Sequence, residues 1–279
     1  MPQWAAFVGL TGFLLTVLLG LSKLSRRSLS GDGGGLTART DGFEQRLSTA
    51  GPADDTYPRF ETTRAARERR HIEDRLARDE LSTGALLANV ALTQGLFGVL
   101  LLGGAFFFEI PLAALGVTGD TLSTGLPALG IGLAAGVGFW IGNEFAAAVA
   151  DGFGVGVDES LRELLAPDSA GGWVVLLGVV LPVIAVVEEL LFRAAAIGVP
   201  VVGLGAPAPA MVVVSSVAFG LGHGAQGRVG IVVTGALGAA LGALFVLTNS
   251  LLAVVVAHYL VNALELCVHE GLGVRRIGK

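Results

Sequence analysis

Between residues 172 and 203 runs an apolar stretch long enough to cross a lipid bilayer, and within it stand Glu188, Glu189 and Arg193. In hydrocarbon every backbone N–H and C=O has to be satisfied inside the segment, so such a stretch is a helix. One charge at mid-membrane costs about 3 kcal/mol on insertion scales. Three charges in six residues therefore need a compensating reason, and a polar site in the membrane interior supplies one.

The rest of the chain agrees with a membrane solvent. Hydrophobic residues make up 53% of it, and the mean hydropathy is +0.72, which excludes an ordinary soluble domain. Apolar runs at 4–21, 84–108, 126–150, 172–203, 208–224, 229–248 and 250–269 predict an all-α, polytopic transmembrane helical bundle of about seven to eight spans. Residues 1–21 read as an N-terminal anchor and 22–83 as a charged loop. Two accessory spans occupy 84–171, a core 172–270, and a basic tail 271–279. Within the loop, 28–60 have linker composition. Over 61–82 the pairs Arg64/Glu68, Arg69/Glu73, Arg70/Asp74 and Arg75/Asp79 have the spacing of a solvated helix.

Charge sets an orientation. The 22–83 loop holds most of the 18 basic residues, and threading the spans puts Arg162, Arg228, Arg275, Arg276 and Lys279 on the same side. The opposite connections, near 109–125, 204–207 and 249, carry no Lys or Arg. The expectation is a multi-pass cell-membrane protein with its N-terminus outside and its loop and C-terminus cytoplasmic. Its partners would be the lipid bilayer and a peptide or protein substrate, not nucleic acid. The single Cys267 excludes an intrachain disulfide framework. Gly132/Gly136 and Gly238/Gly242 have the small-xxx-small spacing of close helix packing.

Polar residues inside the spans are the candidates for chemistry. The breakers in Gly203-Leu-Gly-Ala-Pro-Ala-Pro209 predict a tight turn between antiparallel helices. Glu188 before that turn and His223 after it both lie about 22 Å away at 1.5 Å per residue, hence at matched depth. A carboxylate and an imidazole meeting in a low-dielectric cleft can polarise a water or hold a metal. Glu189 and Arg193 are i,i+4 and read as an ion pair, which leaves Glu188 about 100° around the helix for chemistry. Read alone, the group is equally a structural buried salt bridge. His258 and Asn262 share a helical face with Glu265 and can supply a ligand or hydrogen-bond donors to an oxyanion, or simply join helices. His258 stands only about nine residues, roughly 13 Å, from its outer turn, so something must bring it level. Glu265, His269 and Glu270 lie near the solvated end and read as structural. Asn143 and Glu144, close to the membrane edge, stay outside the catalytic set. The chain contains no phosphate-binding glycine loop, Cys-x-x-Cys pair or His-Glu-x-x-His helix.

Taken together, Glu188-Glu189-x-x-x-Arg193, Phe219-x-x-x-His223 and His258-x-x-x-Asn262 resemble the three motifs of the CPBP family, the CAAX prenyl endopeptidase-like intramembrane proteases. The resemblance covers about 172–265; Ala194 stands where a Gly often follows the motif arginine. It implies an intramembrane endopeptidase acting on CAAX-like, membrane-associated substrates. Glu188 and His223 would then activate water, while His258 and Asn262 complete the site and stabilise the oxyanion. Glu188, His223 and His258 also form a plausible zinc set. The rival readings are a non-catalytic scaffold or immunity-type relative, and a proton-coupled transporter, for which no internal repeat is visible.

Overall fold

The apolar runs become helices joined by short turns. The computed structural model describes residues 1–29, 83–152 and 160–274. Its principal helices are α1 (Trp4–Leu29), α2 (Thr83–Phe107), α3 (Leu126–Gly152), α4 (Ala170–Leu204), α5 (Ala208–Gly222), α6 (Gly227–Thr248) and α7 (Leu251–Gly271). The fold is a polytopic helical bundle. The expected linker over 28–60 and charged helix over 61–82 fall almost wholly outside the described residues, as does most of the tail.

Six of these helices are long and apolar enough to cross a membrane, and α5 is not. With 15 residues it spans about 22 Å, short of a hydrocarbon core of about 30 Å. This corrects the expected span over 208–224. The helix stops at Gly222 because His223 leaves helical geometry (φ −94°, ψ 24°), and a 3-10 turn, Gly224–Gln226, reverses the chain. Gly227, with φ +78°, permits the entry into α6.

Helix α4 forms the centre. Half of its most apolar window is buried, against 17% for α1 and α3. It is not uniform: π-helical stretches at Leu176–Val180 and Leu190–Gly198 interrupt it. Each immediately precedes a proline near the start of the next α-helical segment, Pro182 and Pro200. A proline in a helix lacks an N–H, and its ring clashes with the carbonyl four residues back. That carbonyl belongs to Gly178 or Ala196, each inside a π stretch, where the wider turn relieves the clash. The helix thus stays continuous through two prolines.

Glycines let the other helices approach. A Cβ on Gly132 would lie 2.7 Å from the Ala253 carbonyl oxygen, and one on Gly136 3.0 Å from that of Ala257. The first small-residue pair therefore seats α3 on α7 within one chain. Gly238 and Gly242 likewise face Phe219 and Val212 of α5. On the other side α1 and α2 close over α4 through Phe7, Leu14, Phe97, Leu101, Leu190 and Phe192.

The start of α7 resolves the depth of His258. Its cap residue Ser250 is fully buried, accepts from the Ala253 N–H at 3.0 Å and donates to the Ser123 carbonyl at 2.6 Å. Leu251 N–H also donates to the Gly116 carbonyl at 2.9 Å. The connection between α2 and α3 thus covers the beginning of α7, so that helix starts inside the protein and nine residues suffice.

The close approach of α3 and α7 predicts a position-specific cost. Gly132→Val should destabilise the purified protein by about 1–3 kcal/mol, as overpacking does. Gly138→Val, where a Cβ meets nothing within 4 Å, should leave the melting temperature nearly unchanged. Thermal denaturation in detergent distinguishes the two, and equal losses would contradict the packing described.

Candidate active site

Three helices and the end of a fourth bring the polar residues together. From α4, Glu189 is fully buried, and its Oε1 accepts from Arg193 Nη1 at 2.8 Å and from His258 Nδ1 at 2.7 Å. Arg193 is also fully buried; its Nη2 donates to the Gly238 carbonyl at 3.2 Å on α6. Its guanidinium lies 4.4 Å from the ring centroid of Phe219 on α5. One charge network therefore ties α4 to α5, α6 and α7. The aromatic face and the Gly238 carbonyl add to Glu189 around the desolvated guanidinium, whose Nε is buried without a hydrogen-bond partner.

Glu188 points elsewhere. Its Oε1 accepts from Gln94 Nε2 at 3.2 Å, on α2. Its Oε2 is buried without a hydrogen-bond partner. Two imidazole nitrogens stand near that oxygen: His258 Nε2 at 3.8 Å and His223 Nε2 at 3.9 Å. Neither distance is a hydrogen bond.

The tautomers follow from the partners. His223 Nδ1 lies 2.8 Å from the Phe219 carbonyl oxygen. A carbonyl only accepts, so Nδ1 carries the proton and donates. In the neutral ring Nε2 is then a lone pair. His258 Nδ1 likewise donates to the Glu189 carboxylate, which leaves its Nε2 as a lone pair unless the ring carries both protons. An unpaired carboxylate oxygen thus faces two acceptor nitrogens, and one water among them can donate to two of the three.

Phe219 packs edge-on to His258 with ring centroids 5.8 Å apart and tilted against His223 at 4.6 Å. It fixes both rings. His223 is the most open member, with its side chain 25% exposed against 3% for His258 and 10% for Glu188. Asn262 sits one turn after His258, partly exposed, and among the described residues its side chain makes no hydrogen bond. A cavity of about 210 Å³ lined by Leu19, Ser22, Lys23, Leu221, Gly224 and Ile231 includes the residue that follows His223.

The structure therefore brings Glu188, Glu189, Arg193, His223 and His258 into one cluster, with Asn262 on the neighbouring turn. Sequence reasoning missed Gln94, which it left in an accessory span. A lone amide in the otherwise apolar Leu92-Thr-Gln-Gly-Leu96 was the available signal. Glu265 turns away from this cluster, toward Arg162 at 2.7 Å.

A further group with metal-binding capacity lies elsewhere. Among the described residues, the group of three His, Cys, Asp or Glu whose ligand atoms all lie within 4.8 Å of one another is Glu144, Glu265 and His269. That Glu–Glu–His group could hold a metal ion. Glu188, His223 and His258 do not close to that degree.

Residues 170–264 match the family model described as Type II CAAX prenyl endopeptidase Rce1-like. The matched segment, about a third of the chain, is similar to that family. The match begins at the start of α4 and ends two residues beyond Asn262, so all three motifs fall inside the Rce1-like segment. No curated protein and no solved structure matches the chain. The Rce1-like match suggests a CAAX-type membrane protease, and the apolar helices indicate a multi-pass membrane protein.

The two adjacent carboxylates should differ sharply in their effect on folding. Glu189→Gln leaves the buried Arg193 uncompensated, a loss of about 3–5 kcal/mol. Glu188→Gln removes only a charge that lacks a charged partner at bonding distance, and should change stability by less than about 1 kcal/mol. Detergent-solubilised yield and melting temperature of the two variants provide the comparison, and equal destabilisation would contradict the division.

Proposed function

We propose that this protein is an intramembrane endopeptidase that cleaves CAAX-like peptide bonds of membrane-associated proteins with a water activated by Glu188 and His223. The observation that supports this reading best is the unpaired Glu188 Oε2 facing the lone-pair nitrogens of His223 and His258 at 3.9 and 3.8 Å. A water placed among them can donate one hydrogen to Glu188 and the other to His223. A lone pair of its oxygen is then directed at a substrate carbonyl.

In the reaction the water oxygen bonds to the carbonyl carbon while Glu188 takes a water proton, giving a tetrahedral oxyanion. Asn262 carries two amide hydrogens suited to that oxygen. His258, held at Nδ1 by the Glu189 carboxylate, completes the site. Collapse breaks the C–N bond, and the proton held by Glu188 passes to the leaving amine. The products are a new carboxylate and an amine. Gln94 holds the other oxygen of Glu188 and so fixes the rotamer that presents Oε2.

A zinc ion held by Glu188, His223 and His258 is the second mode of activating the same water, favoured by the donor types alone. Direct action by the glutamate draws its support from the hydrogen bonds that orient Glu188 and His223 without any metal. The core is 172–270, served by accessory spans at 84–171. In the cell membrane the N-terminus faces outward and the 22–83 loop and C-terminus face the cytoplasm, by the distribution of Lys and Arg; α5 enters from the outer side and the turn Gly224–Gln226 returns the chain through α6 to that side, so the number of complete crossings stays odd. A scaffold role gains no support from a site that retains every group the hydrolysis uses. A proton-coupled transporter gains none from the Rce1-like match.

The test is cleavage of a prenylated CAAX-type peptide by purified protein in detergent or liposomes. Glu188→Gln and His223→Ala should each lower kcat by about 10²–10⁴-fold, as loss of a general base does. Gln94→Leu should lower it less. Full activity in Glu188→Gln would overturn the mechanism, and the absence of cleavage of prenylated or unprenylated peptides by the wild type would overturn the function.

A further inference from the structure

Away from this cluster, at the other end of α7, a second set of polar side chains converges from two helices. His269 Nε2 lies 3.0 Å from Glu144 Oε1 on α3 and 3.9 Å from Glu265 Oε2 on its own helix. His269 is 8% exposed as a residue, and the two carboxylate side chains are 17% and 16% exposed, so the group is enclosed but reachable. The chain around it supports the ligands themselves. His269 Nδ1 lies 2.7 Å from the Val274 carbonyl, which only accepts. Nδ1 therefore donates to that carbonyl, and Nε2, hydrogen-bonded to Glu144 Oε1, is the atom at which a cation would replace the shared proton. Arg162 Nη1 holds Glu265 Oε1 at 2.7 Å, and its Nε holds Glu270 at 2.6 Å, leaving Glu265 Oε2 directed at the imidazole.

A histidine whose far nitrogen is fixed by a carbonyl, beside a carboxylate oriented by a guanidinium, is the outer-shell arrangement that orients metal ligands. The spacing agrees. With zinc–nitrogen and zinc–oxygen bonds of about 2.0–2.2 Å, tetrahedral ligands stand roughly 3.3–3.6 Å apart. The two histidine–carboxylate separations, 3.0 and 3.9 Å, bracket that value, and all three ligand atoms lie within 4.8 Å of one another. We propose that Glu144, Glu265 and His269 form a divalent-cation site of the zinc class, with water as the fourth ligand, that fastens α3 to the end of α7. His258 and Asn262 lie on the same helix, and a clamp at its far end limits the rotation of α7 that would move them. The site is separate from the cluster around Glu188 and does not rest on the peptidase reading.

The test is zinc stoichiometry and thermal stability of the full-length protein purified in detergent, stripped with chelator and titrated with zinc chloride. The wild type should take up about one zinc per chain and melt at higher temperature with zinc. Glu144→Gln keeps a side chain that can donate to His269 Nε2, so its folding is preserved, and it should weaken zinc binding by at least about tenfold. His269→Gln should do the same. Glu188→Gln should bind as the wild type does. No zinc uptake by the wild type, or uptake abolished by Glu188→Gln and retained in Glu144→Gln, would overturn the proposal.

Discussion

The bundle depends on how Arg193 is accommodated. A guanidinium with no exposed surface has to be neutralised and hydrogen-bonded, or the helix that carries it cannot remain in the interior. Glu189 supplies the charge, Gly238 a carbonyl and Phe219 an aromatic face, from α4, α6 and α5 in turn. The same Glu189 oxygen receives the Nδ1 proton of His258 from α7. Four helices are thus set in register by one ion pair, and Glu188, the proposed base, is the neighbour that the pair leaves out. Neutralising the arginine and placing the imidazole are one structural event.

The irregularity of α4 belongs to the same account. The π stretch Leu190–Gly198 begins directly after Glu189 and contains Arg193. A wider turn there tolerates Pro200 and alters which face each side chain presents. Arg193 still reaches Glu189 at 2.8 Å, while Glu188 stays turned toward α2 and the imidazoles. π turns within α-helices gather at functional sites because they re-aim side chains without ending the helix.

Much of this was legible in the sequence because a bilayer leaves few choices. Apolar run length gave the helices, and the i,i+4 spacing of Glu189 and Arg193 gave their pairing. Counting 15 residues on either side of the Gly-Pro turn aligned Glu188 with His223. What was not legible came from tertiary contacts. Residue counts alone do not reveal that the connection between α2 and α3 covers Ser250, so the depth of His258 could not be read. Gln94 has no motif, and only its contact with Glu188 gives it a role. The short α5 escaped because Gly220, Leu221 and Gly222 are as apolar as a continuing helix. Glu144 and His269, 125 residues apart, read separately as edge polarity and meet only through the packing of α3 on α7.

The central claim is that Glu188 Oε2 and the Nε2 atoms of His223 and His258 share one solvent molecule poised for attack. An experimental structure of the full-length protein in lipid, at a resolution that shows ordered water, addresses it most directly. The account predicts a single water within about 2.6–3.2 Å of Glu188 Oε2 and of His223 Nε2. A dry gap filled by an apolar side chain or lipid, or a Glu188 carboxylate turned away from both imidazoles, would contradict it.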